Sequence, residues 1–259
     1  MSDTLPLRLV LASASPARRK SLRAAGIEPD VLVSGVDESL VVSDRAEDLC
    51  LELARLKAEA VLTRLNLTAT ANSSTTNAKD TTTTGDTAST STASTSTSTS
   101  TSTSTVSQRT LVIGCDSVLE FDGEILGKPA DSADATRRWL RMRGRSGVLH
   151  SGHCLIDGVA GRRAEAVAST VVHFADISDD EIAAYVATGE PLAVAGAFTI
   201  DGLGGPFVER IEGDPGTVVG LSMPLLRRLL AELGLEITDL WTKVAPGGQS
   251  VEPLGNVHS

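Results

Sequence analysis

The first patterned region of the chain is a short apolar run that leads directly into a basic helix start. Leu9 to Leu11 is followed by the small-residue turn Ala12 to Ser15, and Pro16 then opens a segment that carries cations from Arg18 to Lys20. A buried strand, a turn and a helix with proline in its first position account for this order. The pattern therefore predicts a strand-turn-helix unit.

Two interpretations of this turn stay open on the residues alone. Backbone N–H groups at a helix start, the hydroxyls of Ser13 and Ser15 and the guanidinium of Arg18 together favour an anion such as phosphate. Alternatively, the turn has no ligand and the basic first helical turn is simply solvated. Cations at a helix N-terminus oppose the helix dipole, so the second interpretation leaves their placement unexplained.

Strands and helices alternate along the rest of the patterned sequence. Further strands are predicted at 31–34, 110–119, 147–156 and 164–174. Helices are predicted at about 45–65, 132–143, 178–188 and 223–233, and short strands within the Gly-rich region 195–220. Interleaved strands and helices predict an α/β protein, and hairpin-like segments in the second half favour a mixed sheet.

The composition changes abruptly at about residue 66. From there to residue 108 the chain is dominated by Thr, Ser and Ala, and residues 91–105 contain Ser and Thr apart from Ala93. Such a tract has little apolar surface to bury against its ordering entropy. We therefore expect a disordered insertion over 66–108 that interrupts a domain spanning 1–245, with a flexible tail over 246–259.

Charge and residue usage narrow the class of protein. A formal net charge of -10 and 3% aromatic residues argue against a nucleic-acid partner. No apolar run reaches the length of a membrane span, and Asp3 and Arg8 interrupt the pattern of a secretory signal. Three cysteines without a paired spacing suit a reducing compartment, so we expect a cytoplasmic protein without a membrane partner.

An acid in the middle of an apolar strand is the strongest chemical signal. Asp116 lies within the predicted strand 110–119, and a buried carboxylate must be hydrogen-bonded, paired with a cation or bound to a metal. Glu38, just past the second predicted strand, is the natural second acid. Two carboxylates near a phosphate-binding turn suggest Mg²⁺ or Mn²⁺ held by Glu38 and Asp116, and a structural ion pair is the alternative.

Two lysines and two histidines complete the candidate set. Lysine is rare in this chain, and Lys57 lies near the apolar face of its predicted helix, while Lys128 is fixed between Gly127 and a proline. A retained lysine in an arginine-rich chain suggests a need for a compact charge. His150 and His153 stand three apart in a predicted strand, so they point to opposite faces and a metal site there is disfavoured.

Taken together, these residues and the motifs around them resemble the Maf family of nucleoside triphosphate pyrophosphatases. The resemblance covers nearly all of the chain except the Ser/Thr tract and the last dozen or so residues. Each motif is weak alone, but the nine occur in the family's order. They are Ser13-Ala14-Ser15-Pro16 with Arg18, Asp37-Glu38, Lys57-Ala58, Gly114 to Ser117, Gly127-Lys128-Pro129, Tyr185 to Pro191, Ala195 to Phe198, Gly202 to Phe207 and Val218 to Leu221.

The resemblance implies a two-lobed fold with an elongated mixed β-sheet flanked by helices and a nucleotide cleft between the lobes. It implies hydrolysis of ribo- or deoxyribonucleoside triphosphates between the α and β phosphates, which gives a monophosphate and pyrophosphate and clears non-standard nucleotides. Asp116 matches the family's proton acceptor. The other matching positions are Glu38 as second acid, Lys57 and Lys128 as phosphate-neutralising lysines, and Ser13, Ser15 and Arg18 in the phosphate-binding turn.

Three positions depart from the common family pattern. Ala17 stands where many relatives have Arg, Ser117 where they have Thr, and Asp201 where they have Gln. The resemblance associates these positions with base selectivity, so we expect Ser117 and Asp201 to contact substrate while the preferred base stays open.

Other functions and the assembly also stay open. The alternatives to an active pyrophosphatase are a nucleotide-binding regulator of septum formation without significant hydrolysis and an ordinary phosphomonoesterase. A homodimer is one option for the assembly.

Overall fold

The computed structural model describes residues 7–76 and 108–241, and within them it forms seven strands and six α-helices. The strands are β1 (Leu7–Leu11), β2 (Asp30–Val31), β3 (Arg109–Phe121), β4 (Glu124–Leu126), β5 (Ser146–Asp157), β6 (Arg162–Phe174) and β7 (Val208–Glu212). The helices are α1 (Pro16–Ala24), α2 (Ala46–Thr76), α3 (Ser132–Met142), α4 (Asp179–Ala187), α5 (Pro215–Val219) and α6 (Met223–Glu232).

All seven strands belong to one mixed sheet in the order β2-β1-β3-β5-β6-β7, with β4 paired to β3 outside that path. β1 runs parallel to both β2 and β3, and the remaining pairs are antiparallel. Helices flank the sheet, so the predicted α/β class and mixed sheet are confirmed. Among the described residues no helix is both long enough and apolar enough to cross a membrane.

β3 has a gap along one of its edges, and the candidate site forms there. β5 pairs with one edge of β3 from Leu111 to Glu120. On the other edge, β1 pairs with β3 as far as Ile113, and β4 begins to pair at Leu119. In the described chain, residues 114–118 therefore have no strand beside them on that edge, and we call this stretch the β3 gap.

The hydrophobic core divides into two large clusters, one toward each end of β3. The first is built around Leu22, Ile113 and Leu226, where α1 and α6 pack on β1 and the first half of β3. The second is built around Phe121 and Trp139, where α3 and α4 pack on the second half. Two cores on either side of the β3 gap give the predicted two-lobed architecture.

α2 crosses the sheet in very close contact because two strand residues have no side chain. A Cβ atom at Gly114 on β3 would lie 2.1 Å from the Ala54 carbonyl oxygen of α2, and one at Gly152 on β5 would lie 2.3 Å from that of Cys50. Real Cβ atoms do not approach backbone so closely, so glycine is required at both positions. This contact sets the height of α2 above β3.

Three predicted boundaries are corrected by the structure. The second strand, predicted over 31–34, is limited to Asp30–Val31, because its partner β1 ends at Leu11, opposite Val31. The Gly-rich region 195–220 contains one strand, β7, and otherwise 3₁₀ turns and the short α5. A positive φ at Gly196 (70°) and at Gly220 (105°) breaks extended backbone there.

The third correction concerns the end of the helix predicted at about 45–65. α2 continues past residue 65 and ends at Thr76. A helix that already exists gains one hydrogen bond for each residue it adds, so it can extend into a sequence that would not start a helix. The rest of the predicted insertion, 77–107, and the predicted tail at 246–259 lie outside the described residues.

Candidate active site

The centre of the candidate site is a buried lysine that bridges two carboxylates. Lys57 Nζ lies 2.5 Å from Asp116 Oδ1 and 2.6 Å from Glu38 Oε1. Asp116 comes from the β3 gap, Lys57 from α2, and Glu38 from a 3₁₀ turn, Glu38–Leu40, that follows β2. The side chains of Lys57 and Asp116 are 9% and 11% exposed, whereas Glu38 is 51% exposed and faces solvent. The structure thus brings together three of the four predicted catalytic residues.

The two carboxylates have pKa values that move in opposite directions. Burial raises the pKa of Asp116, and the charge and hydrogen bond of Lys57 offset this effect only in part. Burial also acts on Glu38, but the hydrogen bond from Lys57 and the charges of Lys57, Lys128 and Arg18 together lower the pKa of Glu38. Neighbouring acids whose pKa values diverge commonly divide acid–base roles between them. The structure thus gives the two acids different environments, one buried with a raised pKa and one half exposed with a lowered pKa.

Arg18, predicted to bind phosphate, is buried and already makes four hydrogen bonds. Nε donates to the Gly220 carbonyl at 2.9 Å, and Nη1 donates to Ser13 Oγ at 3.0 Å and to the Cys115 carbonyl at 2.8 Å. Nη2 donates to Ser117 Oγ at 3.1 Å. The contact with Cys115 occupies the open backbone edge of the β3 gap. One of the five N–H groups of the guanidinium is left over from these four bonds, so Arg18 is an anchor as well as a candidate ligand.

The predicted serine turn is formed as expected. Ser15 caps α1 by accepting a hydrogen bond from the Arg18 backbone N–H at 3.4 Å. Ser13 Oγ accepts from the Ser15 N–H at 3.2 Å, in addition to its bond with Arg18. The start of α1 therefore lies beside the β3 gap, with Ser13 buried and Ser15 half-buried.

The remaining predicted residues, Lys128 and Asp201, lie outside the direct contacts of this centre. Lys128 is exposed, and its charge reaches Glu38, as the lowered pKa of that carboxyl reflects. Asp201 lies outside the lysine-bridged cluster, and its carboxylate is 3.8 Å from Lys20 Nζ on α1. A surface pocket of about 650 Å³ adjoins the serine turn; it is lined by Ala14, Ser15, Pro16, Arg19, Lys20, Arg23, Ala24 and Val31.

The donor set suits a divalent cation that is shared with phosphate. Within the described ranges, no three or more His, Cys, Asp or Glu side chains cluster as a metal site. Mg²⁺ in proteins is commonly held by one or two carboxylates together with substrate phosphates and water. Glu38 and Asp116 could supply the two carboxylates of such a site, with phosphate and water as the other ligands.

The two histidines have separate hydrogen-bond partners. His150 Nδ1 lies 2.8 Å from Ser169 Oγ. His153 Nε2 accepts from the Ser222 N–H at 2.9 Å, so the ring proton is on Nδ1, which donates to the Ser151 carbonyl at 3.0 Å. Burial lowers the pKa of His153 to about 4, which keeps the ring neutral.

The sequence analysis gave no individual role to three residues that support Arg18 and Lys57. Ser151 contacts the Ser117 hydroxyl, Gly220 supplies a carbonyl to Arg18, and Gly152 allows α2 to reach the sheet. Glycines within apolar strands were the available signal for close backbone approach. No local pattern pointed to Ser151, because its partner lies 34 positions away in the chain.

Comparisons with known proteins identify the family of this chain. The family model described as Maf-like protein matches residues 8–233. A protein of Salinispora tropica is 71% identical over 98% of this chain and 94% of its own length, and one of Streptomyces coelicolor is 50% identical over 90% and 94%. A third, from Streptomyces avermitilis, is 48% identical over 93% and 98%. All three are named nucleoside triphosphate pyrophosphatase. On this evidence the chain belongs to the Maf family.

Proposed function

We propose that this protein is a nucleoside triphosphate pyrophosphatase that cleaves the anhydride between the α and β phosphates. The observation that carries the proposal is the buried Lys57, placed between Asp116 and Glu38 at the β3 gap. A lysine ammonium beside a buried carboxylate suits a reaction in which water attacks the highly charged anhydride of a triphosphate. The names of the similar proteins support the same reaction.

Asp116 is proposed to orient the attacking water and to accept its proton. Water then bonds to phosphorus, the α–β anhydride bond breaks, and the products leave as a nucleoside monophosphate and pyrophosphate. Lys57 and Lys128 balance the negative charge that builds on the phosphate oxygens, and Arg18 with Ser13 and Ser15 binds the phosphate chain. Positioning and charge neutralisation are the main protein contributions to phosphoryl transfer.

A divalent cation, Mg²⁺ or Mn²⁺, is part of the proposal. Glu38 and Asp116 would hold it jointly with the phosphates, where it supplies Lewis-acid polarisation of the phosphoryl oxygens. Glu38 is suited to this role because its carboxylate is 51% exposed and shares Lys57 with the buried Asp116.

A single assay tests the reaction. The purified chain is incubated with Mg²⁺ or Mn²⁺ and a panel of standard and modified ribo- and deoxyribonucleoside triphosphates, and pyrophosphate and phosphate are measured separately. We expect pyrophosphate and a monophosphate, with phosphate absent as a direct product. Phosphate alone would indicate a phosphomonoesterase, and tight nucleotide binding without either product would indicate a regulator.

The same panel addresses the biological role, which we propose to be removal of non-standard nucleotides. The carboxylate of Asp201 can accept hydrogen bonds but cannot donate them, and bases differ in the amino and imino donors they present. A higher kcat/KM for one or more modified triphosphates than for the standard ones would support this role. Equal values across the panel would contradict it.

A further inference from the structure

A one-way chain of hydrogen bonds leads from Arg18 through the sheet into α5. Ser151 Oγ donates to the Thr217 carbonyl at 2.8 Å, and a carbonyl can only accept. Because the single hydroxyl hydrogen of Ser151 is used there, Ser117 must donate in the 2.7 Å contact between the two hydroxyls. Arg18 Nη2 in turn donates to Ser117 Oγ at 3.1 Å. The order is therefore Arg18, Ser117, Ser151 and Thr217, and we call it the serine relay.

Both ends of the relay are held by the same short helix. Thr217 lies within α5, and Gly220, which ends α5, accepts the hydrogen bond from Arg18 Nε. Gly220 has a φ of 105°, and a Cβ there would lie 3.0 Å from Arg18 Nε. Ser151 and Thr217 are fully buried, so neither can exchange its partner for water. The guanidinium is thus clamped on its Nε and Nη2 sides at once.

We propose that Ser151 is a positioning residue for Arg18, acting through the Ser117 hydroxyl. The hydrogen bonds described above use four of the five guanidinium N–H groups and leave one on Nη2. Because the guanidinium and its NH2 groups are planar, the hydrogen bond from Nη2 to Ser117 also sets the direction of the other N–H on Nη2. Ser117, expected from the sequence to bind substrate, acts mainly on Arg18. This inference rests on the proposed function in one respect: the anion that Arg18 meets is the triphosphate.

Loss of the relay is expected to weaken triphosphate binding and to leave the rate of the chemical step nearly unchanged. In Ser151→Ala, the Ser117 hydroxyl can turn, so the hydrogen bond that fixes Nη2 is weakened. The other three bonds of Arg18 remain, and Lys57 and Asp116 are untouched. We expect KM for the best triphosphate of the panel to rise about fivefold or more, the scale of one lost hydrogen bond, with kcat changed by less than about twofold. Ser151→Thr keeps the hydroxyl and restores KM. Because a methyl group at a fully buried site can prevent folding, the Arg18→Lys double variant described next tests the proposal even if Ser151→Thr does not fold.

Two controls separate positioning from ordinary structural support. Ser222 is also a buried serine, and its hydroxyl accepts from the Leu225 N–H outside the relay, so Ser222→Ala should lower the melting temperature without changing KM. In an Arg18→Lys background, Ser151→Ala should have no further effect on KM, because the residue it positions is gone. An unchanged KM in Ser151→Ala, or effects of the two variants that multiply, would overturn the proposal.

An NMR measurement of Arg18 without substrate tests the relay independently of the enzyme activity. Restricted rotation of the Arg18 guanidinium should give separate, slowly exchanging Nη signals in ¹⁵N NMR, assigned by their loss in Arg18→Lys. We expect these signals in the wild type and in Ser151→Thr, and averaged signals in Ser151→Ala. Separate signals that persist in Ser151→Ala would refute the relay whatever the enzyme assay finds. Failure of the panel assay alone would refute the activity and leave this result standing.

Discussion

Asp116 and Gly152 face each other across β3 and β5, and the absence of a side chain at Gly152 is what allows Lys57 to reach Asp116. The two residues are direct register partners. A Cβ at Gly152 would lie 2.3 Å from the Cys50 carbonyl and 2.6 Å from the Leu51 nitrogen, both on the backbone of α2. The glycine on β5 opposite Asp116 thus determines how closely α2, which carries Lys57, can approach the sheet.

Gly152→Ala should therefore reduce both stability and activity. The added methyl group meets backbone that cannot rotate away, so α2 must shift, and we expect a loss of about 1–3 kcal/mol in the free energy of unfolding. The shift moves Lys57 away from Asp116, so kcat should fall as well. Urea unfolding and steady-state kinetics measure the two effects. In the matched control Gly158→Ala, the Cβ would meet the flexible end of Leu62 at 2.9 Å, and kcat should be retained.

Asp116→Asn should lower kcat by roughly 10² or more, the usual scale for removing a positioned base. The fold should remain, because burial makes the ionised carboxylate costly, as its raised pKa reflects, and Lys57 keeps its ion pair with Glu38. An amide at this position removes that desolvation cost, so the urea midpoint is expected to stay constant or to rise. Glu124→Gln, which changes an exposed acid paired with Arg141, should leave kcat unchanged. Near-wild-type turnover in Asp116→Asn would exclude Asp116 as the base.

Lys57→Met should create a cation site in the free protein. The ammonium of Lys57 lies between two carboxylate oxygens, where it repels a divalent ion that has no phosphate to accompany it. Without that charge, the affinity for Mn²⁺ in the absence of nucleotide should increase about tenfold or more. Titration followed by the electron paramagnetic resonance signal of free Mn²⁺ measures this change. The gain should vanish when Asp116→Asn is added, and a gain that survives would place the ion elsewhere.

His153 should make the protein less stable as the pH falls below about 6.5. Its pKa is about 4 when folded and about 6.5 in a model peptide, so between these values the unfolded chain binds a proton that the folded chain does not. The contribution of His153 is therefore present above pH 6.5 and is lost on acidification, by about 3 kcal/mol in total. His153→Gln keeps a hydrogen-bond acceptor for Ser222 but cannot titrate.

Urea unfolding from pH 7 to pH 4 should thus give a shallower loss of stability in His153→Gln than in the wild type. The control is Ser222→Ala, which removes the hydroxyl that accepts from the Leu225 N–H and keeps the backbone N–H that donates to His153. It should lower stability by a similar amount at every pH of this range. Identical slopes for the wild type and His153→Gln would contradict the assignment of a neutral, buried His153.

The helices and the central strands were predictable because each has a local signal. Serine followed three positions later by glutamate is typical of a capping box at a helix start, and the structure contains one at α4, with Ser178 and Glu181 bonded reciprocally. The acid within the apolar run 110–119 marked Asp116 as a residue that needs a partner. The length of β2 was not predictable, because it depends on where β1 ends, opposite Val31.

The sequence by itself determined the α/β class and the residue types of the site, since apolar periodicity and a carboxylate in an apolar strand are local properties. Only the tertiary structure decided that Lys57 bridges both acids, that Arg18 is mostly occupied by Gly220, Ser13, Cys115 and Ser117, and that Asp201 stands apart from the cluster. These relationships join residues up to 202 positions apart. Their distances are set by the register of β3 with β5 and by the close approach of α2 at two glycines, which no local pattern encodes.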